Sequence, residues 1–138
     1  MNHRSILLSG LAALALAGCA SRSAEPEALT SEQQRQLAAE LKDRVAGTPQ
    51  SCIPYRPGMR TTRISDSVLL YDNGPIVYRN DLSTRCPGFA RRQDAMVMEV
   101  RGNNLCSGET FRLVDTGAGF PTAICQLGDF TPYRRVGG

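Results

Sequence analysis

The chain has 138 residues, a formal charge of +3, no tryptophan and a single histidine, His3. Beyond His3, a Ser-His-Asp or Cys-His catalytic unit and a histidine-built zinc site are excluded, and a Ser-Lys dyad would have to use Lys42, the only lysine. The sixteen Lys and Arg are interspersed with thirteen Asp and Glu and form no basic block of the kind that grips nucleic acid, so no nucleic-acid partner is expected.

In chain order, the first element has the three parts of an export signal. Met1 to Ser5 carry one charge of consequence, Arg4, and Ile6 to Ala17 is an apolar run broken only by Ser9 and Gly10. That run is shorter than the roughly 20 residues a spanning helix needs. Leu16-Ala17-Gly18-Cys19 follows, and it resembles the lipobox of bacterial lipoproteins. The resemblance implies that residues 1–18 are removed, that the Cys19 thiol takes a diacylglycerol, and that the freed amine is acylated. One acyl chain binds a membrane only marginally, whereas two or more hold it stably. Ala20 and Ser21 stand after the cysteine where an acidic residue would favour the inner membrane. By resemblance to the common sorting rule this implies the outer membrane, with the domain facing the periplasm. Residues 19–30 read as a lipidated tether. Removal of eighteen residues leaves 120, enough for one domain.

An amphipathic helix is expected over 31–47. Thr30 or Ser31 is the candidate N-cap, and Ser31 to Gln34 has capping-box spacing. Leu37, Leu41 and Val45 form a narrow apolar stripe, while Glu32, Arg35, Glu40 and Asp43 face away. Gly47 and Pro49 read as the stop signal.

Residues 48–138 read as a β domain. Short extended runs are expected at Arg60 to Ser65, Ser67 to Asp72, Pro75 to Asn80, Ala95 to Arg101, Thr110 to Asp115, Ala123 to Gln126 and Asp129 to Tyr133. Asn73-Gly74 is the strongest hairpin signal, as a type I′ turn needs positive φ at both central residues. Ala95, Val97 and Glu99 alternate with Met96, Met98 and Val100, which places the two sets on opposite faces. About six short strands with frequent turns predict a mainly β fold, a small antiparallel barrel or curled sandwich preceded by the one helix.

Four cysteines remain after Cys19: Cys52, Cys86, Cys106 and Cys125. An even number in an exported chain reads as a disulfide framework, and none is spaced C-x-x-C. Three pairings are open. The nested one, Cys86 with Cys106 and Cys52 with Cys125, is the expectation because it ties the domain's ends together. Each loop would contribute roughly 3 to 4.5 kcal/mol on the chain-entropy model.

Val45-Ala46-Gly47, Ser51-Cys52-Ile53, Tyr78-Arg79-Asn80-Asp81-Leu82, Cys86-Pro87-Gly88, Leu105-Cys106-Ser107-Gly108 and Leu127-Gly128-Asp129-Phe130 carry a second resemblance. Together they resemble a family of small exported proteobacterial proteins and lipoproteins of unknown function with a four-cysteine frame. The resemblance spans Leu37 to Arg135. It implies that the cysteines and turn glycines are a structural frame, and it brings no activity or ligand.

The carboxylates Asp66, Asp72, Asp81, Asp94, Glu99, Glu109, Asp115 and Asp129 would be the raw material of a glycosidase pair. Most stand at strand ends or turns, where aspartate bends the chain. Arg79, Asn80 and Asp81, with Arg91 and Arg92, are the candidate site for an acidic ligand. The competing reading is an Asx-turn beside solvated arginines. Arg134-Arg135 reads as a basic tail with lipid phosphates as its one functional contact. No metal and no cofactor are expected. The function expected is therefore a non-enzymatic envelope lipoprotein that binds an envelope protein or glycan through its sheet face or loops. The alternatives are a periplasmic enzyme inhibitor and a hydrolase using paired carboxylates. Small lipoprotein barrels that inhibit lysozymes are known, but a basic chain suits a basic lysozyme poorly.

Overall fold

The computed structural model describes residues 28–91 and 93–137. The signal 1–18, Cys19, most of the tether and Arg92 lie outside the described residues. The first element, α1 (Ser31–Glu40), is capped by Thr30, whose side chain accepts from the Gln33 N–H while the Gln33 side chain answers to the Thr30 N–H. The capping box is thus Thr30–Gln33, one residue earlier than the Ser31–Gln34 spacing suggested. The helix is also shorter than 31–47. Asp43 takes a left-handed φ of 59°, which reverses the chain into β1 (Arg44–Ala46) before Gly47 is reached. Leu37 and Leu41 keep the predicted packing face, and Val45 leaves it for the strand. Lys42 is exposed, in the turn after the helix.

The chain is mainly β, as expected, but the described residues form ten strands rather than about six, and no closed barrel. After β1 come β2 (Cys52–Pro54), β3 (Arg60–Arg63), β4 (Val68–Asn73), β5 (Ile76–Asp81), β6 (Asp94–Met98), β7 (Asn104–Cys106), β8 (Thr110–Asp115), β9 (Pro121–Gln126) and β10 (Phe130–Arg135). The unforeseen strands β1, β2 and β7 have three residues each, too few to show a period. They exist through long-range pairing, β1 with β10 and β2 with β7. Three antiparallel sheets result, in the orders β1-β10-β5-β4-β3, β2-β7 and β6-β8-β9.

The β4–β5 hairpin forms where predicted, but Asn73 pairs with Ile76, so Gly74 and Pro75 are the central residues. Only Gly74 of the four has positive φ, 75°. Positive φ at the first central position marks a II′-class turn rather than I′. The Asp72 carboxylate accepts from the Gly74 N–H at 2.9 Å and braces the turn.

Val68, Leu69, Leu70 and Tyr71 of β4 are all buried because the five-stranded sheet is covered on both faces. Leu69 and Tyr71, with Tyr78 and Phe130, meet Ile53, Leu105, Phe111, Leu113 and Cys125 of the two smaller sheets in the main core. Val68, Leu70 and Val77 face the other way, onto Leu29, Leu37 and Leu41. The layers therefore run α1, five-stranded sheet, core, small sheets. Arg60 ties α1 to the sheet through Glu40 at 3.1 Å and Asp72 at 2.9 Å. Among the described residues no helix is long and apolar enough to cross a membrane.

Candidate functional site

The four cysteines form two disulfides, but the pairing is Cys52–Cys106 and Cys86–Cys125. The nested arrangement is corrected by strand register. Cys52 and Cys106 are direct partners on β2 and β7, with Cα atoms 4.0 Å apart. The neighbouring Ser107 N–H donates to the Ser51 carbonyl at 2.6 Å, which makes the cysteine pair the close, non-hydrogen-bonded kind. Cys86 and Cys125 instead join the loop after β5 to β9 inside the main core. Cys19 lies outside the described residues.

The candidate ligand residues do not assemble. Asn80 is wholly buried and spends its amide on the backbone. It donates to the Gly128 carbonyl at 2.6 Å and the Asp129 carbonyl at 3.3 Å, and accepts from the Gly128 N–H at 3.1 Å. Arg79 faces the opposite side of β5 and grips Asp81 through Nε at 3.1 Å and an Nη at 2.6 Å. Burial works against the Arg79 charge, but the pairing with Asp81 and contact with Tyr133 outweigh it and hold the guanidinium above its ordinary pKa. Arg91 stands elsewhere, in a hollow beside Thr30, Asp66 and Arg85. Arg92 lies outside the described residues.

Six of the eight candidate carboxylates are engaged in structural bonds. Asp66 accepts from the Ala90 N–H and an Arg85 guanidinium, and Asp72 from Gly74 and Arg60. Asp81 pairs with Arg79, Asp94 accepts from the Thr122 hydroxyl, Glu109 from the Cys106 N–H, and Asp115 from the Gly117 and Ala118 N–H groups.

A surface site missed from sequence lies on the outer face of the β6-β8-β9 sheet. Phe111 and Leu113 of β8 point into the core, so Thr110, Arg112 and Val114 point out. Register then lines up Val97, Arg112 and Ile124 in one row, and Ala95, Val114 and, across a β-bulge that skips Thr122, Pro121 in the next. Among the described residues, three of the five exposed large apolar side chains stand on this face or at its rim: Val97 at 40%, Phe120 at 58% and Ile124 at 72% exposure. Arg112 is the one charge in the middle of the row. A hollow of about 540 Å³ opens beside it, lined by Val97, Glu99, Arg101, Glu109, Arg112 and Ile124. The signal available in sequence was Cys125: once its side chain is committed to a disulfide in the core, its neighbour Ile124 must face out.

Aliphatic side chains thus surround a single guanidinium, with carboxylates and a second arginine at the edge. Comparison with family models, curated proteins and solved structures finds no match to this chain.

Proposed function

We propose that this chain is a lipid-anchored envelope protein, held on the outer membrane through Cys19, whose domain binds another envelope protein without catalysing a reaction. The anchor rests on the lipobox-like Leu16-Ala17-Gly18-Cys19. Membership of the exported proteobacterial family with the four-cysteine frame is part of the same reading.

The observation that supports binding is the outer face of β6-β8-β9. Side chains in that position normally alternate to polar on a solvated sheet. Here Ala95, Val97, Val114, Pro121 and Ile124 form two largely apolar rows, and contiguous apolar surface of this kind marks interaction sites. The face is aliphatic, with Phe120 its one aromatic ring. That composition suits a protein surface better than a sugar, which is bound largely by stacking and dense hydrogen bonding. Arg112 supplies orientation through its fork of donors. The test is capture from detergent-solubilised envelopes with the wild-type chain beside Ile124→Glu. A partner retained equally by both would contradict the assignment of this face.

A further inference from the structure

β1 and the end of β10 meet at one corner of the five-stranded sheet, and that corner is built of cations. Arg44 stands directly opposite Arg135, and Val45 opposite Arg134. Lys42 precedes them in the turn that leaves α1. Directly opposed side chains on antiparallel strands are about 5 Å apart, and like charges there are destabilising. Arg44 turns its guanidinium onto the Pro75 carbonyl at 2.8 Å and the Tyr133 carbonyl at 3.4 Å. Lys42, Arg134 and Arg135 are exposed, without an ion pair among the described residues. Asp43 is the one carboxylate in this stretch of α1–β1 turn and strand. Elsewhere Arg35, Arg60, Arg79 and Arg85 each have a carboxylate partner.

Apolar side chains stand among these charges. Val45 is 56% exposed and Val136 71% exposed, the other two of the five large apolar residues left in solvent among the described residues. Cations with long aliphatic stems beside exposed valines match a lipid headgroup layer, where charge meets phosphate and the stems lie toward the acyl boundary. The corner also has a definite place in the layers. Tyr133 packs in the cluster that holds Leu37 and Leu41 of α1. Strand alternation puts Arg135, and Arg44 opposite it, on that same side. Arg134 and Val45, one residue along, take the opposite side, so the cations wrap the free edge of β1 rather than lie on one face.

We infer that this corner, at the free edge of β1, rests on the anionic headgroups of the anchoring membrane, an inference that rests on the lipid-anchored reading above. Each cation near an anionic surface contributes about fivefold to binding at low salt.

Lys42, the sole lysine, is a built-in reporter. The full chain is purified from envelopes and mixed with vesicles of phosphatidylethanolamine and phosphatidylglycerol, or of phosphatidylcholine alone. Flotation is followed by footprinting with an amine-acylating reagent and mass mapping. The expected result is flotation with both vesicles and acylation of Lys42 slowed about fivefold or more on the anionic ones. The slowing should vanish in 1 M salt, where the screening length is about 3 Å, and in R134E/R135E. Equal acylation on both vesicles would overturn the inference and leave the anchor standing, as would slowing that persists in the variant. Flotation with anionic vesicles only would support the corner and contradict the anchor, and flotation with neither would contradict both. Should the variant fail to fold, the lipid and salt comparisons on the wild-type chain still decide.

Discussion

Asn80 and Gly128 are locked together, the Asn80 side chain donating to the Gly128 carbonyl at 2.6 Å and accepting from its N–H at 3.1 Å. Gly128 is buried, and a Cβ there would overlap the Asp81 carbonyl oxygen. Its role is close backbone approach, since its φ is not in the left-handed region. The pair fastens the β9–β10 connection onto β5. We expect Asn80→Ala to cost about 2 to 4 kcal/mol, because two or three buried backbone groups lose their partner. Gly128→Ala should cost at least about as much, through a forced backbone shift. Chemical denaturation measures both, and a loss below about 1 kcal/mol in either would contradict the clasp.

The two disulfides differ in access. Cys52 is exposed and Cys106 half-buried, whereas Cys86 and Cys125 lie in the main core at 0% and 3% exposure. Thiol–disulfide exchange needs a thiolate to reach a sulfur. A limiting dose of dithiothreitol on the folded protein should therefore open Cys52–Cys106 first and leave Cys86–Cys125 closed until denaturant is added. Alkylation followed by peptide mapping reads the order. Simultaneous opening, or any Cys52–Cys125 linkage in the untreated protein, would contradict the assignment.

Much of the β organisation was legible in sequence, because Met96, Met98 and Val100 pack on the core as their alternation predicted, and Thr110–Asp115 is a strand as read. The division into three sheets with no closed barrel among the described residues was not, since it depends on which strands pair and the three-residue strands β1, β2 and β7 have no period to read. The disulfide pairing failed for the same reason: Cys52 and Cys106 are joined by a β2–β7 register 54 residues apart in the chain. Polar sequence around Arg79, Asn80 and Asp81 suggested a ligand site, but Asn80 is spent inside the fold and Arg79 and Asp81 pair with each other at the surface. The apolar outer face escaped because Val97, Val114 and Ile124 come from three strands and become neighbours only by pairing.

Tyr71 is expected to contribute to a decline in stability at alkaline pH. Its hydroxyl is buried and has no hydrogen-bond partner among the described residues. Burial, with Tyr55 and Glu109 adding, raises its pKa above the ordinary 10.0. A raised folded pKa gives a contribution present in full below pH 10 and lost as the pH climbs past it. At the acid end, burial opposes the Asp72 charge, but bonds from Arg60 and the Gly74 N–H prevail and hold Asp72 below its ordinary 3.8. That contribution is present above this value and lost as the pH falls beneath it. Thermal melts should thus be flat from pH 6 to 8 and decline on both flanks. Tyr71→Phe should remove part of the alkaline decline and add about 1 kcal/mol at neutral pH, because an unpaired buried hydroxyl is gone. A loss of stability in Tyr71→Phe would show that the hydroxyl has a partner.

The anchor has a direct chemical test. Growth with a fatty-acid analogue should label the wild-type chain and not Cys19→Ser, which should also keep residues 1–18. Label on the variant would contradict lipidation at Cys19.

Binding through the β6-β8-β9 face is the central claim, and the most direct measurement is photo-cross-linking in intact envelopes. A photoreactive residue at Ile124 is compared with one at Arg35, which is exposed on α1 in the opposite layer. The account predicts one discrete protein adduct from position 124, identifiable by mass spectrometry, that position 35 does not give. The same adduct from position 35 and none from position 124 would contradict it.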